Sequence, residues 1–118
     1  MTSTHDPQLL KGVLSLLLLQ LLAERESYGY EVVQRLHELG LTDILEGTVY
    51  PALTRLERES RVSARLVSST AGPARKYYRP TDAGYEALAV GTANWTFLSG
   101  VVNCVLANPI PPQPIRGS

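Results

Sequence analysis

The chain has 118 residues, a hydrophobic fraction of 44% and no net charge at pH 7. That composition suits one folded domain with a small core. One cysteine, Cys104, excludes an internal disulfide framework and fits a reducing compartment, and the two histidines lie too far from it for a zinc site.

The neutral total hides an uneven distribution. Between Tyr50 and Arg79 there are seven basic side chains against two acidic ones, a local charge of +5 that leaves −5 to the remainder. A basic face on a neutral protein is what phosphate binding requires, because local charge sets the field near the surface. The plainer alternative is a solvated charged face that binds nothing.

In chain order, residues 1–6 are expected to form a flexible arm. Pro7 suits the first turn of a helix, which is expected over residues 7–23. Its leucines outnumber what one face needs, so it should pack on two sides, one against its own domain and the other against a second subunit. The apolar run at residues 12–23 is too short to span a bilayer and includes Ser15 and Gln20. Asp6 before it, Glu24, Arg25 and Glu26 after it, and the lack of an A-x-A site set it apart from a signal peptide. A cytoplasmic protein with no membrane contact is expected.

Ser27 is a candidate cap for a second helix, with Val32, Val33, Leu36 and Leu39 as its stripe and Gly40 as its stop. A third helix starts near Glu46 or Gly47 and ends near Ser60. Its core stripe is Val49, Ala52, Leu53 and Leu56, and Pro51 falls early in it. Thr48, Tyr50, Thr54, Arg55 and Arg58 are left off the stripe. Alternation over residues 62–67 predicts a strand. Residues 68–73 (SSTAGP) read as a loose tip, and Arg75 to Arg79 as the returning strand. Tyr77 and Tyr78 face opposite ways there, with Tyr78 expected inside.

Thr81 or Asp82 caps a last helix reaching about Ala107, about 39 Å long. Leu88, Gly91, Trp95, Leu98, Val102 and Val105 alternate three and four apart, a short heptad seam. So long a helix on so small a domain points to a homodimer, the alternative being a helix folded back on its own domain. Residues 108–118 hold four prolines and no periodic pattern, so a disordered tail is expected.

Three helices, a basic hairpin and a long helix give the expected fold class: mainly α with a small β-hairpin, a winged helix-turn-helix plus a C-terminal dimerisation helix. Residues 7–80 would be the DNA-binding domain and residues 81–107 the dimerisation helix. Catalysis is not expected. Neither His5 nor His37 has a nucleophile and carboxylate in a triad pattern, there is no glycine-rich phosphate loop, and no cofactor is implied. Cys104, in an apolar helix, is expected to be buried. The competing non-enzymatic reading is a winged-helix protein-interaction module that binds no specific DNA.

Four segments carry a resemblance to the PadR family of bacterial transcriptional regulators. They are YGYEVVQRL at residues 28–36, GTVYPALTRLE at 47–57, ARKYYRPTDAG at 74–84, and Trp95, eleven residues past Gly84. The similarity spans roughly residues 9–107 and resembles the subgroup with a single C-terminal helix. It implies a homodimer on double-stranded DNA, in most members a repressor. By that resemblance Thr48, Tyr50, Thr54 and Arg55 approach bases or phosphates from the recognition helix. Lys11 and Tyr28 touch backbone, and Arg75, Lys76 and Arg79 belong to the wing. Trp95 resembles the stacking platform of multidrug-responsive members. Gly12, Ser15, Leu16, Gly91 and Ser99 would complete a pocket for a small aromatic inducer, unless Trp95 is only dimer core. Three positions depart from the family pattern: Leu45 where Ser or Thr is common, Ser60 where glycine is usual, and Pro80 where leucine is usual. Pro80 is expected to shorten the wing strand.

Overall fold

The computed structural model describes residues 7–114; the arm at 1–6, with His5, and the last four residues of the tail lie outside them. The element order is α1 (Pro7–Glu24), β1 (Ser27–Tyr28), α2 (Gly29–Glu38), α3 (Glu46–Arg58), β2 (Val62–Ser69), β3 (Gly72–Pro80) and α4 (Asp82–Leu106). The fold is mainly helical, with a three-stranded antiparallel sheet in the order β1-β3-β2.

The core forms where the stripes of the first three helices meet the base of the hairpin. Leu18 and Leu22 of α1, Val32 and Leu36 of α2, and Val49, Leu53 and Leu56 of α3 are buried with Val62 and Tyr78. Tyr78 is inside, as expected. Leu10, Leu14, Leu19 and Leu21 are buried too, while Val13, Leu16 and Leu17 on another side of α1 are only half-buried and face α4. The surplus of leucines on α1 thus serves two packing surfaces.

The strand β1 was not expected, and it replaces Ser27 as a helix cap. Ser27 pairs with Tyr78 and Tyr28 with Tyr77. The Ser27 hydroxyl is buried, donating to the Arg25 carbonyl at 3.1 Å and accepting from Arg35 at 3.2 Å. Tyr28 therefore takes the N-cap position of α2, and the Glu31 carboxylate accepts its backbone N–H at 3.2 Å. A two-residue strand leaves no period to read.

The hairpin is longer and tighter than its sequence suggests. Ser69 pairs with Gly72 across a two-residue turn, with a bulge between Val67 and Ser69. Most of its outer half is solvent-exposed, Val67 and Ser69 being half-buried, so no strong hydrophobic alternation marks the strand there. Pro80 does not shorten β3: it is the buried last residue, opposite Val62, where a missing N–H interrupts no later pairing.

Both α2 and α3 end in the same hydrogen-bonded turn. Leu41 N–H reaches the Leu36 carbonyl at 3.0 Å and Gly40 N–H the His37 carbonyl at 2.9 Å; Arg61 to Leu56 and Ser60 to Glu57 repeat the pattern, each at 2.9 Å. This turn needs a left-handed residue. Gly40 supplies it with φ 100°, and Ser60 adopts it with φ 61°. At the other end of α3, Leu45 caps through its backbone alone. Pro51 sits well inside α3 and leaves the Gly47 carbonyl without its usual N–H donor.

The helix α4 packs only its first half on the chain. Ala87 and Leu88 lie against the core, and a Cβ on Gly91 would meet Leu16 Cδ1 at 3.0 Å. Beyond that, Trp95, Leu98, Val102 and Val105 are all exposed. Cys104 is exposed as well, against expectation, because nothing among the described residues covers this half of α4. By length and composition α4 is long and apolar enough to cross a membrane, yet its first turns are joined to the winged fold. Residues 109–114 carry no regular structure.

Candidate nucleic-acid interface and the α1–α4 groove

Burial of Val49, Leu53 and Leu56 turns the opposite side of α3 outward, and Thr48, Tyr50, Thr54, Arg55 and Arg58 are all exposed there. The ring of Tyr50 rests on Gly29, where a Cβ would overlap Tyr50 Cε1. Partial burial, and then the Glu46 carboxylate, push the Tyr50 phenol above its ordinary range, so it stays a proton donor.

The wing base stands beside this ring. Tyr28 meets Tyr77 edge-on, with centroids 5.3 Å apart, and the Arg75 guanidinium lies 4.6 Å above the Tyr28 ring. Lys76 Nζ donates to Glu57 Oε1 at 2.9 Å and sits 5.6 Å from the Tyr78 ring. The hydrogen bond to Glu57 raises the Lys76 pKa, keeping it a cation. Tyr28, Gly29, Tyr50, Arg75, Lys76 and Tyr78 enclose a cleft of about 270 Å³ between α2, α3 and the sheet. The structure thus brings together Tyr28, Tyr50, Arg75 and Lys76. Thr48, Thr54 and Arg55 lie along the same exposed side of α3. Arg79 follows on β3, while Lys11 is exposed on α1 with no contact to the cluster among the described residues.

The sequence reading missed the counter-charges. Glu26 holds Arg65 through two hydrogen bonds, of 2.7 and 2.8 Å, which lower the Glu26 pKa and raise that of Arg65. Glu59 pairs with Arg55 at 3.2 Å and approaches Arg61 at 3.9 Å. Only the Arg55–Glu59 pair, four residues apart on one helix, had a readable signal. Glu26 and Glu57 are brought to their partners by tertiary structure.

A second concavity, about 310 Å³, lies between α1 and α4. Val13, Leu16, Leu17 and Gln20 form one wall, and Leu88, Thr92 and Trp95 the other. Of the pocket residues expected from sequence, Leu16 and Trp95 line it, and Gly91 lies against Leu16. Gly12, Ser15 and Ser99 do not line it; the Ser99 hydroxyl donates to the Thr96 carbonyl at 3.3 Å. Among the described residues no three His, Cys, Asp or Glu side chains cluster to hold a metal. His37 Nε2 bonds the Ile44 carbonyl, which ties down the α2–α3 loop.

Residues 18–90 match the Transcriptional regulator PadR-like family. The chain belongs to this family. A PadR-like transcriptional regulator from Bacillus cereus is 39% identical, with 86% of this chain and 99% of that one covered and a TM-score of 0.78. A Streptococcus transcriptional regulator is also 39% identical, covering 85% and 98%, with a TM-score of 0.76. An uncharacterized protein of Lysinibacillus sphaericus is 29% identical over 97 residues, 80% of this chain and 89% of that protein. PadR-like proteins are DNA-binding transcriptional regulators, not enzymes, and the winged helical fold described above is theirs.

Proposed function

We propose that this PadR-like chain is a cytoplasmic, sequence-specific repressor that binds a pseudo-palindromic operator as a homodimer. The observation that carries the reading is the shared outward face of α3 and the wing. Thr48, Tyr50, Thr54 and Arg55 stand on one exposed helix side, Arg75 and Lys76 stand beside Tyr50 on β3, and Arg79 lies further along that strand with Glu26 and Arg65. A helix offered to the major groove reads base edges, while flanking cations hold phosphates.

The exposed seam Leu98, Val102 and Val105, continuing from Leu88 and Trp95, supports a second copy as the partner of α4. Two recognition helices related by a two-fold axis call for half-sites about 34 Å apart. Bound there, the dimer would occlude a promoter. The α1–α4 groove, with the indole of Trp95 on its wall, suits a flat aromatic ligand that relieves repression.

Selection of bound sequences from a random DNA pool at near-physiological salt tests this function. A two-fold-symmetric motif is the expected result. Binding without a motif that vanishes as salt rises would leave non-specific charge attraction and put the protein-interaction module in its place. For the ligand, quenching of Trp95 fluorescence by planar aromatics is expected; unchanged emission across a diverse set would remove the inducer from the proposal.

A further inference from the structure

The dimer helix and the recognition helix are far apart in sequence but share a joint. The wing separates the end of α3 from the start of α4, and Thr81 lies 21 positions beyond Ser60. Across that gap the Thr81 hydroxyl donates to the Ser60 carbonyl at 2.6 Å, and the Thr81 backbone N–H donates to the Arg61 carbonyl at 3.0 Å. The same hydroxyl accepts the Gly84 N–H at 3.0 Å as the N-cap of α4. Gly84 is buried against the Arg61 carbonyl, where a Cβ would overlap the oxygen and come within 3.2 Å of the Pro80 ring.

We propose that Thr81 is a positioning residue whose hydroxyl locks α4 to the end of α3 and thereby sets the half-site spacing the protein accepts. This rests on the dimeric operator reading given above. Capping α4 requires only that Thr81 accept a hydrogen bond from Gly84. The donated bond to Ser60 is additional, and it joins two helices rather than completing one. Gly84 keeps the joint tight, because only a residue without a Cβ lets the first turn of α4 lie on the Arg61 carbonyl. Among the described residues the bulk of α4 beyond Trp95 packs on no other element, so this joint and the α1 contact are what orient it. If α4 pairs with its copy, its direction is fixed by the partner. The joint then passes that direction to α3, and the separation of the two recognition helices is set without a flexible linker between them.

The two roles of the hydroxyl separate in substitution. Thr81→Ser keeps both. Thr81→Asp keeps the cap, since a carboxylate accepts from Gly84, but it has no hydrogen to give Ser60 and faces that carbonyl with negative charge. The test uses the full chain and the selected operator, resynthesised with its spacer one base pair longer or shorter. Wild type is expected to lose about tenfold in affinity on either change, because half-site spacing is a geometric requirement of a rigid dimer. Thr81→Asp should lose less than about threefold while dimerising as wild type does in sedimentation, and Thr81→Ser should behave as wild type. A folded Thr81→Asp protein that discriminates as sharply as wild type would overturn the proposal. Gly84→Ala supplies an independent arm: its Cβ must push α4 off Arg61, so its preferred spacer should shift. An unchanged preference in that variant would also overturn the lock. Wild type that selects a two-fold motif yet tolerates any spacer refutes the lock alone. Wild type that selects no paired half-sites refutes the dimeric reading, and the lock with it.

Discussion

The ring of Tyr50 on α3 lies on the backbone of Gly29, the first residue of α2, in the space a side chain would fill. Gly29 is buried by this contact, and Tyr50 remains partly exposed beside Arg75 and Lys76. The glycine is therefore required by close approach, not by backbone conformation. Gly29→Ala should swing the Tyr50 ring out of the cleft and weaken operator binding about tenfold, the scale of losing a good direct contact. Stability should change by less than about 1 kcal/mol, since Tyr50 is not a core residue. Anisotropy titration and urea unfolding of the same variant check both halves. Unaltered affinity would show that the placement of Tyr50 is irrelevant to DNA binding.

Ser60 occupies the left-handed position that closes α3, at φ 61°. An L-residue there carries steric strain that glycine avoids. Ser60→Gly should stabilise the fold by about 0.5–1 kcal/mol, strain relief outweighing the entropy cost of glycine in the unfolded chain. The Ser60 carbonyl, which accepts from Thr81, survives the change. A raised urea midpoint with an unchanged slope is the expected readout. A lowered midpoint would mean that the serine side chain contributes more than its backbone costs.

Glu26 is half-buried, and its hydrogen bonds from Arg65 hold its carboxyl below the ordinary value of 4.5. A carboxylate with a depressed folded pKa stabilises the fold above its unfolded pKa, and the effect fades as pH falls through the folded value. Any advantage of wild type over Glu26→Gln should therefore be present at neutral pH and disappear on acidification below about 4.5. Solvent screening keeps it small. Thermal unfolding of both proteins across that range measures it. An advantage that grows toward acid would contradict the pairing.

The helices were legible because their stripes repeat: Val32, Val33 and Leu36, then Val49, Leu53 and Leu56, all face one core. Gly40, Thr81 and the long apolar run after it marked ends and starts. What stayed hidden lacks a period. The strand β1 is two residues long, and the outer wing, where Val67 and Ser69 are only half-buried, buries too little to impose a strong alternation. At the candidate interface the basic and aromatic residues could be picked out, but their neutralisation could not. Glu26 reaches Arg65 across 39 positions, and Glu57 reaches Lys76 across 19. The exposure of Cys104 was not legible because an apolar helix in sequence resembles a buried one, whereas the described residues supply no cover for the second half of α4.

Those ion pairs divide the basic residues into two classes with different expected effects on DNA binding. Arg55, Arg61, Arg65 and Lys76 already have carboxylate partners. Arg58 and Arg75 form no ion pair among the described residues, and Arg79 forms none but lies near enough to Glu26 to help lower its pKa. A cation that neutralises a phosphate releases condensed counterions, and log affinity then falls with log salt by about 0.9 per phosphate contact. A cation already neutralised must give up its carboxylate, or bring it along, which cancels part of that gain. Arg75→Ala and Arg79→Ala should each flatten the salt dependence by about 0.9. Arg65→Ala should flatten it less, while lowering affinity through the unpaired charge left on Glu26. Glu26→Gln should do the reverse, freeing Arg65 and steepening the dependence. Anisotropy titrations on the selected operator between about 50 and 200 mM salt give these slopes directly. Equal slope changes for Arg65→Ala and Arg75→Ala would show that the carboxylates do not hold their arginines back from DNA.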